Sequence, residues 1–177
     1  VFLILGLGNP GPQYQYTRHN VGFLALDALA EKYGVRLSKH NLNALWGQGS
    51  IGQETVLLAK PMTYMNESGL AAKSLLRKCN LQADRMIVLH DEIDLPLGKI
   101  KLKCKGGDAG QKGVRSIIQR LGDDEFARIR IGVGRPEDRK DIVDYVLSPF
   151  ERDENETLSM VLEQAVAKVE DILKETR

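Results

Sequence analysis

The chain has 177 residues, 42% hydrophobic and 28% charged, the balance of an ordinary globular protein and not of a disordered or fibrous one. No apolar run approaches the length of a membrane span, and the opening residues read as a buried strand rather than as a signal peptide. The formal net charge of +1 hides an asymmetry: residues 1–150 carry 21 Lys/Arg against 16 Asp/Glu, and residues 151–177 carry 4 against 8. A basic body of this kind suits the approach of a polyanion. Cys79 and Cys104 stand in unrelated contexts, without CxxC spacing, and read as reduced thiols of a cytosolic protein.

Phe2–Leu7 is a short apolar run closed by glycines, the signature of a buried strand. A polar loop with Pro10 and Pro12 follows, and from about Asn20 apolar residues recur at helical spacing as far as Tyr33-Gly34. Residues 44–60 read as two strands, ALWGQGSI and TVLLAK, joined by a turn near Gly52. A loop over Pro61–Asn66 precedes a helix over Ser68–Cys79, and Met86–His90 is a second apolar strand, broken by the acidic turn HDEIDLPLG. Ile100–Cys104 is a strand, GGDAGQKG a glycine-rich loop, Val114–Leu121 a helix and Ala127–Gly134 an alternating strand. Asp141–Leu147 fits a short helix or an extended segment, and Glu151–Glu175 a terminal amphipathic helix. Strands alternating with helices predict a single-domain three-layer α/β/α sandwich over residues 1–177, its central sheet mixed and mostly parallel.

The segment GLGNPG carries Gly6-x-Gly8-x-x-Gly11, the spacing of a dinucleotide-binding fingerprint. In that motif a helix begins among the glycines and turns its amide groups toward a pyrophosphate. Here Pro10 and Pro12 remove two donors, and the helical period starts roughly a dozen residues too late. The spacing alone does not make an NAD site.

The polar residues at the strand ends tell more. Asn9 and His19 flank the loop after the first strand, and Asp91 ends another strand in VLHDE. Open α/β sheets bind ligands beyond those ends, so an imidazole and a carboxylate are offered to one crevice. A carboxylate taking the proton on Nδ1 leaves Nε2 as a base. Read singly, His19 fits a structural histidine and Asp91 a turn cap just as well. No GxSxG, SxxK, HExxH or Walker motif is present, and no nucleophile accompanies His19. The pair therefore suggests water attacking a reactive carbonyl such as an ester. Asn9 and Asn66 carry amides suited to peptide groups, although Asn66 in MNESG also fits a helix N-cap.

In GKIKLKCKG, Lys99, Lys101, Lys103 and Lys105 alternate with apolar residues, which on a strand puts the ammonium groups on one face. Arg128 and Arg130 repeat the device in ARIRIG, with Lys112 and Arg115 between. Such a face suits phosphate contacts, and it equally suits an edge strand guarded by lysines.

Five segments in this order, GLGNPGPQYQYTRHNVGF, KPMTYMNESG, VLHDEIDLPLGKIKLK, GGDAGQKGVRSI and FARIRIGVGRP, together resemble bacterial-type peptidyl-tRNA hydrolase. The resemblance runs from Phe2 to about Phe150. It implies a monomeric cytoplasmic α/β enzyme, needing no metal or other cofactor, that cleaves the ester between a peptide and the 3′ ribose of tRNA. It implies His19 as the catalytic base, Asp91 as its supporting carboxylate, and Asn9 as the residue that tells an N-blocked from a free aminoacyl group. Tyr14, Tyr64 and Asn66 match substrate-contacting positions, with Met65 beside them as an apolar wall; the partner implied is peptidyl-tRNA, through its 3′ CCA end and acceptor arm. Lys101, Lys103 and Arg130 match basic positions near phosphates of the acceptor arm. Where many relatives carry His-Asn, this chain has Gln111-Lys112; a lysine cannot accept a hydrogen bond, so Lys112 is expected to meet a phosphate or the terminal ribose. A related RNA-binding protein without catalysis is the competing reading, and Asn9, His19, Asn66 and Asp91 together argue against it.

Overall fold

The computed structural model describes residues 1–137 and 141–176. Seven strands form one sheet: β1 (Phe2–Gly6), β2 (Lys39–Asn41), β3 (Ala44–Ile51), β4 (Glu54–Pro61), β5 (Met86–Glu92), β6 (Ile100–Lys103) and β7 (Ala127–Gly132), in the order β2-β3-β4-β1-β5-β7-β6. The central pairs β4–β1, β1–β5 and β5–β7 are parallel, and the flanking pairs are antiparallel. Every residue of β1 and β5 is buried, the burial expected of parallel strands covered on both faces. This is the mixed, mostly parallel three-layer sandwich that the alternation of elements predicts.

Alternate side chains feed two cores. Phe2, Ile4, Ile87 and Leu89 face one way, onto α1 (Val21–Lys32) and the terminal α5 (Asn155–Glu175). Leu3, Leu5, Met86 and Val88 face the other way, onto α2 (Ser68–Cys79) and α3 (Lys112–Leu121). The chain leaving β1 goes to α1 on one face, and the chain leaving β5 reaches α3 on the other. The two connections, the second by way of β6, therefore diverge, and a crevice opens between the carboxyl ends of β1 and β5. A short helix, α4 (Ile142–Val146), stands over that crevice, so of the two readings of 141–147 the helical one holds.

The glycines of the opening motif serve packing and turning. A Cβ on Gly6 would lie 2.4 Å from the Gly22 carbonyl oxygen, and one on Gly8 would lie 2.7 Å from the Phe23 ring. These contacts let β1 lie directly against α1, while Gly11, with φ of 115°, turns the chain away.

Strand β2 has no counterpart in the sequence reading. Its three residues KHN are all exposed and polar, so no alternation marks them. A two-residue turn with positive φ at Leu42 and Asn43 joins it to β3, and Trp46 Nε1 donates to Asn41 Oδ1 at 2.7 Å.

Candidate active site

The crevice is a cleft of about 320 Å³ whose lining includes Asn9, His19, Asp91, Met65, Asn66 and Lys112. His19 sits in a single 3₁₀ turn, Arg18–Asn20, between the loop after β1 and the start of α1. Asp91 is the penultimate residue of β5. His19 Nδ1 lies 2.8 Å from Asp91 Oδ2, and a carboxylate can only accept, so the ring carries its proton on Nδ1. In the neutral ring Nε2 is then the lone-pair nitrogen. Asp91 is bonded to His19 and is not the cap of a turn.

Asn9 is fixed at three atoms. Its N–H donates to Asn20 Oδ1 and its carbonyl accepts from Asn20 Nδ2, each at 2.8 Å. Its Oδ1 accepts the Met65 N–H at 2.7 Å. With the oxygen occupied, the Asn9 NH2 is the end left to donate to a ligand, and it has no protein acceptor among the described residues. Asn66 lies in the 3₁₀ turn Met65–Glu67 ahead of α2, and its side chain makes no capping bond. Asn66 lines the cleft.

Opposite these residues stands an apolar wall from α4 and its C-terminal neighbour: Ile142, Val143, Val146 and Leu147. Val143 is 60% exposed, a large apolar side chain left open to the cleft. Tyr64, 61% exposed, lines the cleft mouth, and Tyr14 packs edge-on against it with ring centroids 6.5 Å apart. Tyr14 itself stands behind Tyr64 and outside the lining. Among the described residues, no group of three or more His, Cys, Asp or Glu is placed to hold a metal ion, and no helix is long and apolar enough to cross a membrane.

The family profile of peptidyl-tRNA hydrolase matches residues 3–177. The chain belongs to the peptidyl-tRNA hydrolase family. The peptidyl-tRNA hydrolase of Exiguobacterium sibiricum is 46% identical over 163 residues, covering 92% of this chain and 88% of the relative. That of Aquifex aeolicus is 46% identical over 164 residues, covering 93% and 85%. The crystal structure of peptidyl-tRNA hydrolase from Acinetobacter baumannii superimposes with a TM-score of 0.93 at 35% identity, covering 99% of this chain and 90% of that one. The activity of this chain is accordingly the hydrolysis of peptidyl-tRNA.

For a peptidyl-tRNA hydrolase the basic residues matter next, and here the structure divides the stripe. β6 spans only Ile100–Lys103, so Lys101 and Lys103 share a strand face while Lys99 and Lys105 lie outside the strand. Register pairs Lys101 with Arg130 and Lys103 with Arg128. Arg128 is not a surface cation, contrary to the alternation pattern: it is 1% exposed, and its Nη1 donates to the carbonyls of Gly106 and Gly107 at 2.7 Å. Its Nη2 reaches the Asp124 carbonyl, so the residue holds the glycine-rich loop in place. Arg130 is half-buried, with Nε and Nη2 both on Glu92 Oε1 at 2.9 Å. Lys112 opens α3 at the cleft and is exposed.

Three residues of the site escape a sequence pattern. Asn20 stands at the N-cap position just before α1, yet its side chain makes no cap and turns back to Asn9 instead. Gln111 joins Asp91 to α3. Arg18, 6% exposed, binds Ser148 Oγ at 2.7 Å, the Pro149 carbonyl at 2.9 Å and Glu154 Oε1 at 2.9 Å, and its guanidinium lies 4.1 Å from the Tyr145 ring centre. It ties the His19 turn to the segment that carries the apolar wall.

Proposed function

We propose that His19, held by Asp91, is the base that activates water against the ester joining the peptide to the tRNA 3′ ribose. The observation that carries this reading is the 2.8 Å Nδ1–Oδ2 contact in the cleft, which makes Nδ1 the donor and puts the lone pair of the neutral ring on Nε2. His19 Nε2 takes a proton from water as the water oxygen bonds to the carbonyl carbon. The developing oxyanion is met by the Asn9 NH2, the donor left free by the Met65 contact. Collapse of the tetrahedral species breaks the bond to the ribose oxygen, which recovers a proton from the His19 imidazolium. The products are a peptide with a free carboxyl end and a tRNA with a free 3′ hydroxyl.

Tyr14, Tyr64, Met65 and Asn66 support a seat for the 3′ CCA end and the adjoining peptide. Lys101, Lys103 and Lys112 supply exposed or partly exposed ammonium groups for phosphates of the acceptor arm, and Arg130 keeps Nη1 beyond its Glu92 contacts for the same purpose. On this reading one domain over residues 1–177 acts as a monomer in the cytoplasm without a cofactor.

Hydrolysis of N-acetyl-aminoacyl-tRNA by the wild type and by His19→Ala tests the base. Loss of about 10²–10⁴-fold in kcat is the magnitude of general-base catalysis, and undiminished turnover would remove His19 from the role. In the same assay KM should climb steeply with salt through counterion release, whereas a flat response removes the lysines from the tRNA surface.

A further inference from the structure

Asp91 is 4% exposed and has both carboxylate oxygens engaged. Oδ2 accepts from His19 Nδ1 at 2.8 Å, and Oδ1 accepts from Gln111 Nε2 at 2.9 Å. The other end of the Gln111 amide, Oε1, accepts the Val114 N–H at 2.8 Å as the N-cap of α3. A main-chain N–H can only donate, so it holds the amide oxygen and turns the NH2 toward Asp91. The orientation of Gln111 is therefore set from the helix side, independently of Asp91.

The loop that delivers Gln111 is also held. Arg128 binds two of its carbonyls, and the Asp108 carboxylate accepts from the Gly110 N–H at 2.8 Å and from Arg115 Nε at 3.1 Å. Gln111 Nε2 lies 3.3 Å from Met65 Sδ, and Met65 is the residue whose N–H holds Asn9. Asn20, next to His19 in the chain, grips Asn9 in turn. Contacts thus run in a closed circuit from His19 through Asp91, Gln111, Met65, Asn9 and Asn20 back to His19.

We infer that Gln111 is a positioning residue for hydrolysis: its NH2 locks the rotation of the Asp91 carboxylate so that Oδ2 holds the His19 ring, and with it Nε2, on the reacting water. The inference rests on His19 and Asp91 being the base and its support. An unlocked carboxylate lets the ring drift, and displacements of about 1 Å at a reacting group cost on the order of a hundredfold in rate. The competing role is that of a helix cap alone. Asparagine separates the two, since it caps at least as well and is one methylene too short to span from α3 to Asp91.

The experiment measures kcat, KM and Tm on N-acetyl-aminoacyl-tRNA for Gln111→Asn, Asp91→Ala and the double variant. Gln111→Asn should lose roughly tenfold to a hundredfold in kcat, the range for a hydrogen bond to a charged group, with KM and Tm close to wild type. The double variant should be no slower than Asp91→Ala, because the lock has nothing left to hold. Wild-type kcat in Gln111→Asn beside a slow Asp91→Ala overturns the inference and leaves the catalytic pair standing. A loss that multiplies with that of Asp91→Ala also overturns it. If Asp91→Ala runs at the wild-type rate, the reading of the pair fails and this inference fails with it. Where Gln111→Asn lowers Tm as well, the double variant decides: kcat equal to that of Asp91→Ala supports the inference, and a further loss overturns it.

Discussion

Asn20 holds the main chain of Asn9 on both sides, taking its N–H with Oδ1 and giving Nδ2 to its carbonyl oxygen, each at 2.8 Å. Both residues are buried, and the two bonds replace the partners that a strand would have given Asn9 beyond the end of β1. The peptide at position 9 is thereby fixed, and the Asn9 side chain has one direction left, toward Met65 and the cleft.

Asn20→Asp keeps the size of the side chain and the acceptor for the Asn9 N–H, but it sets a carboxylate oxygen against the Asn9 carbonyl. The expected cost is about 1–3 kcal/mol in urea unfolding, the range for a buried polar group left without a partner. kcat/KM on peptidyl-tRNA should fall by about tenfold or more as Asn9 loses its place. Wild-type kcat/KM in a destabilised Asn20→Asp would separate the grip from catalysis.

His90 gives the fold a pH dependence of calculable sign. It precedes Asp91 on β5, is buried, and its Nδ1 donates to the Asp91 carbonyl oxygen at 2.8 Å. Burial holds its pKa below the ordinary 6.5, outweighing that hydrogen bond and the nearby Asp91 and Glu92 charges, which pull it upward. The unfolded chain therefore takes up this proton first as pH falls, and stability declines below about pH 6.5. Asp108 and Glu170 have lowered carboxyl pKa values, so their contributions are lost only at still lower pH. The urea midpoint of the wild type should drop between pH 7.5 and 5.5, and His90→Gln should flatten part of that slope. Taking the difference between the two proteins cancels the other groups titrating in the window, and equal slopes would remove His90 as the cause.

What the sequence shows and what it hides divide by how far apart the partners lie. Asn9, His19 and Asp91 are polar residues at the ends of apolar strands, and the crevice beyond parallel strand ends makes such positions readable. Asn20 and Gln111 stand beside recognisable residues, but their partners lie 11 and 20 residues away, on other elements. No local spacing encodes that. The lysine and arginine alternation correctly puts Lys101, Lys103, Arg128 and Arg130 on one face of β6 and β7. Alternation tells which face a side chain takes and not what covers the face, so it cannot distinguish Lys101 in solvent from Arg128 beneath a loop. The strand Lys39–Asn41 is hidden for a related reason, since an exposed polar edge needs no apolar period.

Arg18 has a far more distant partner, reaching Glu154 across 136 residues of chain. Its guanidinium lies over the Tyr145 ring and binds Ser148, Pro149 and Glu154, while the Tyr145 hydroxyl reaches back to the Val133 carbonyl at 2.6 Å. α4 is too short to be stable alone, so its place over the cleft depends on these contacts. Arg18→Met keeps much of the stem and removes every polar contact of the side chain, while the main-chain N–H of residue 18 keeps the Ser148 carbonyl. Glu154 is partly exposed and can regain water, so the loss should be about 2–3 kcal/mol, below the full cost of breaking a buried ion pair. With the wall loosened, KM for a short N-blocked peptidyl-tRNA should rise several-fold while kcat holds, because His19 keeps Asp91 and Asn9 keeps Asn20. Urea unfolding and steady-state kinetics read the two effects separately. A variant that loses stability with KM unchanged would make Arg18 a clamp for the fold alone, and α4 a wall that the peptide does not touch.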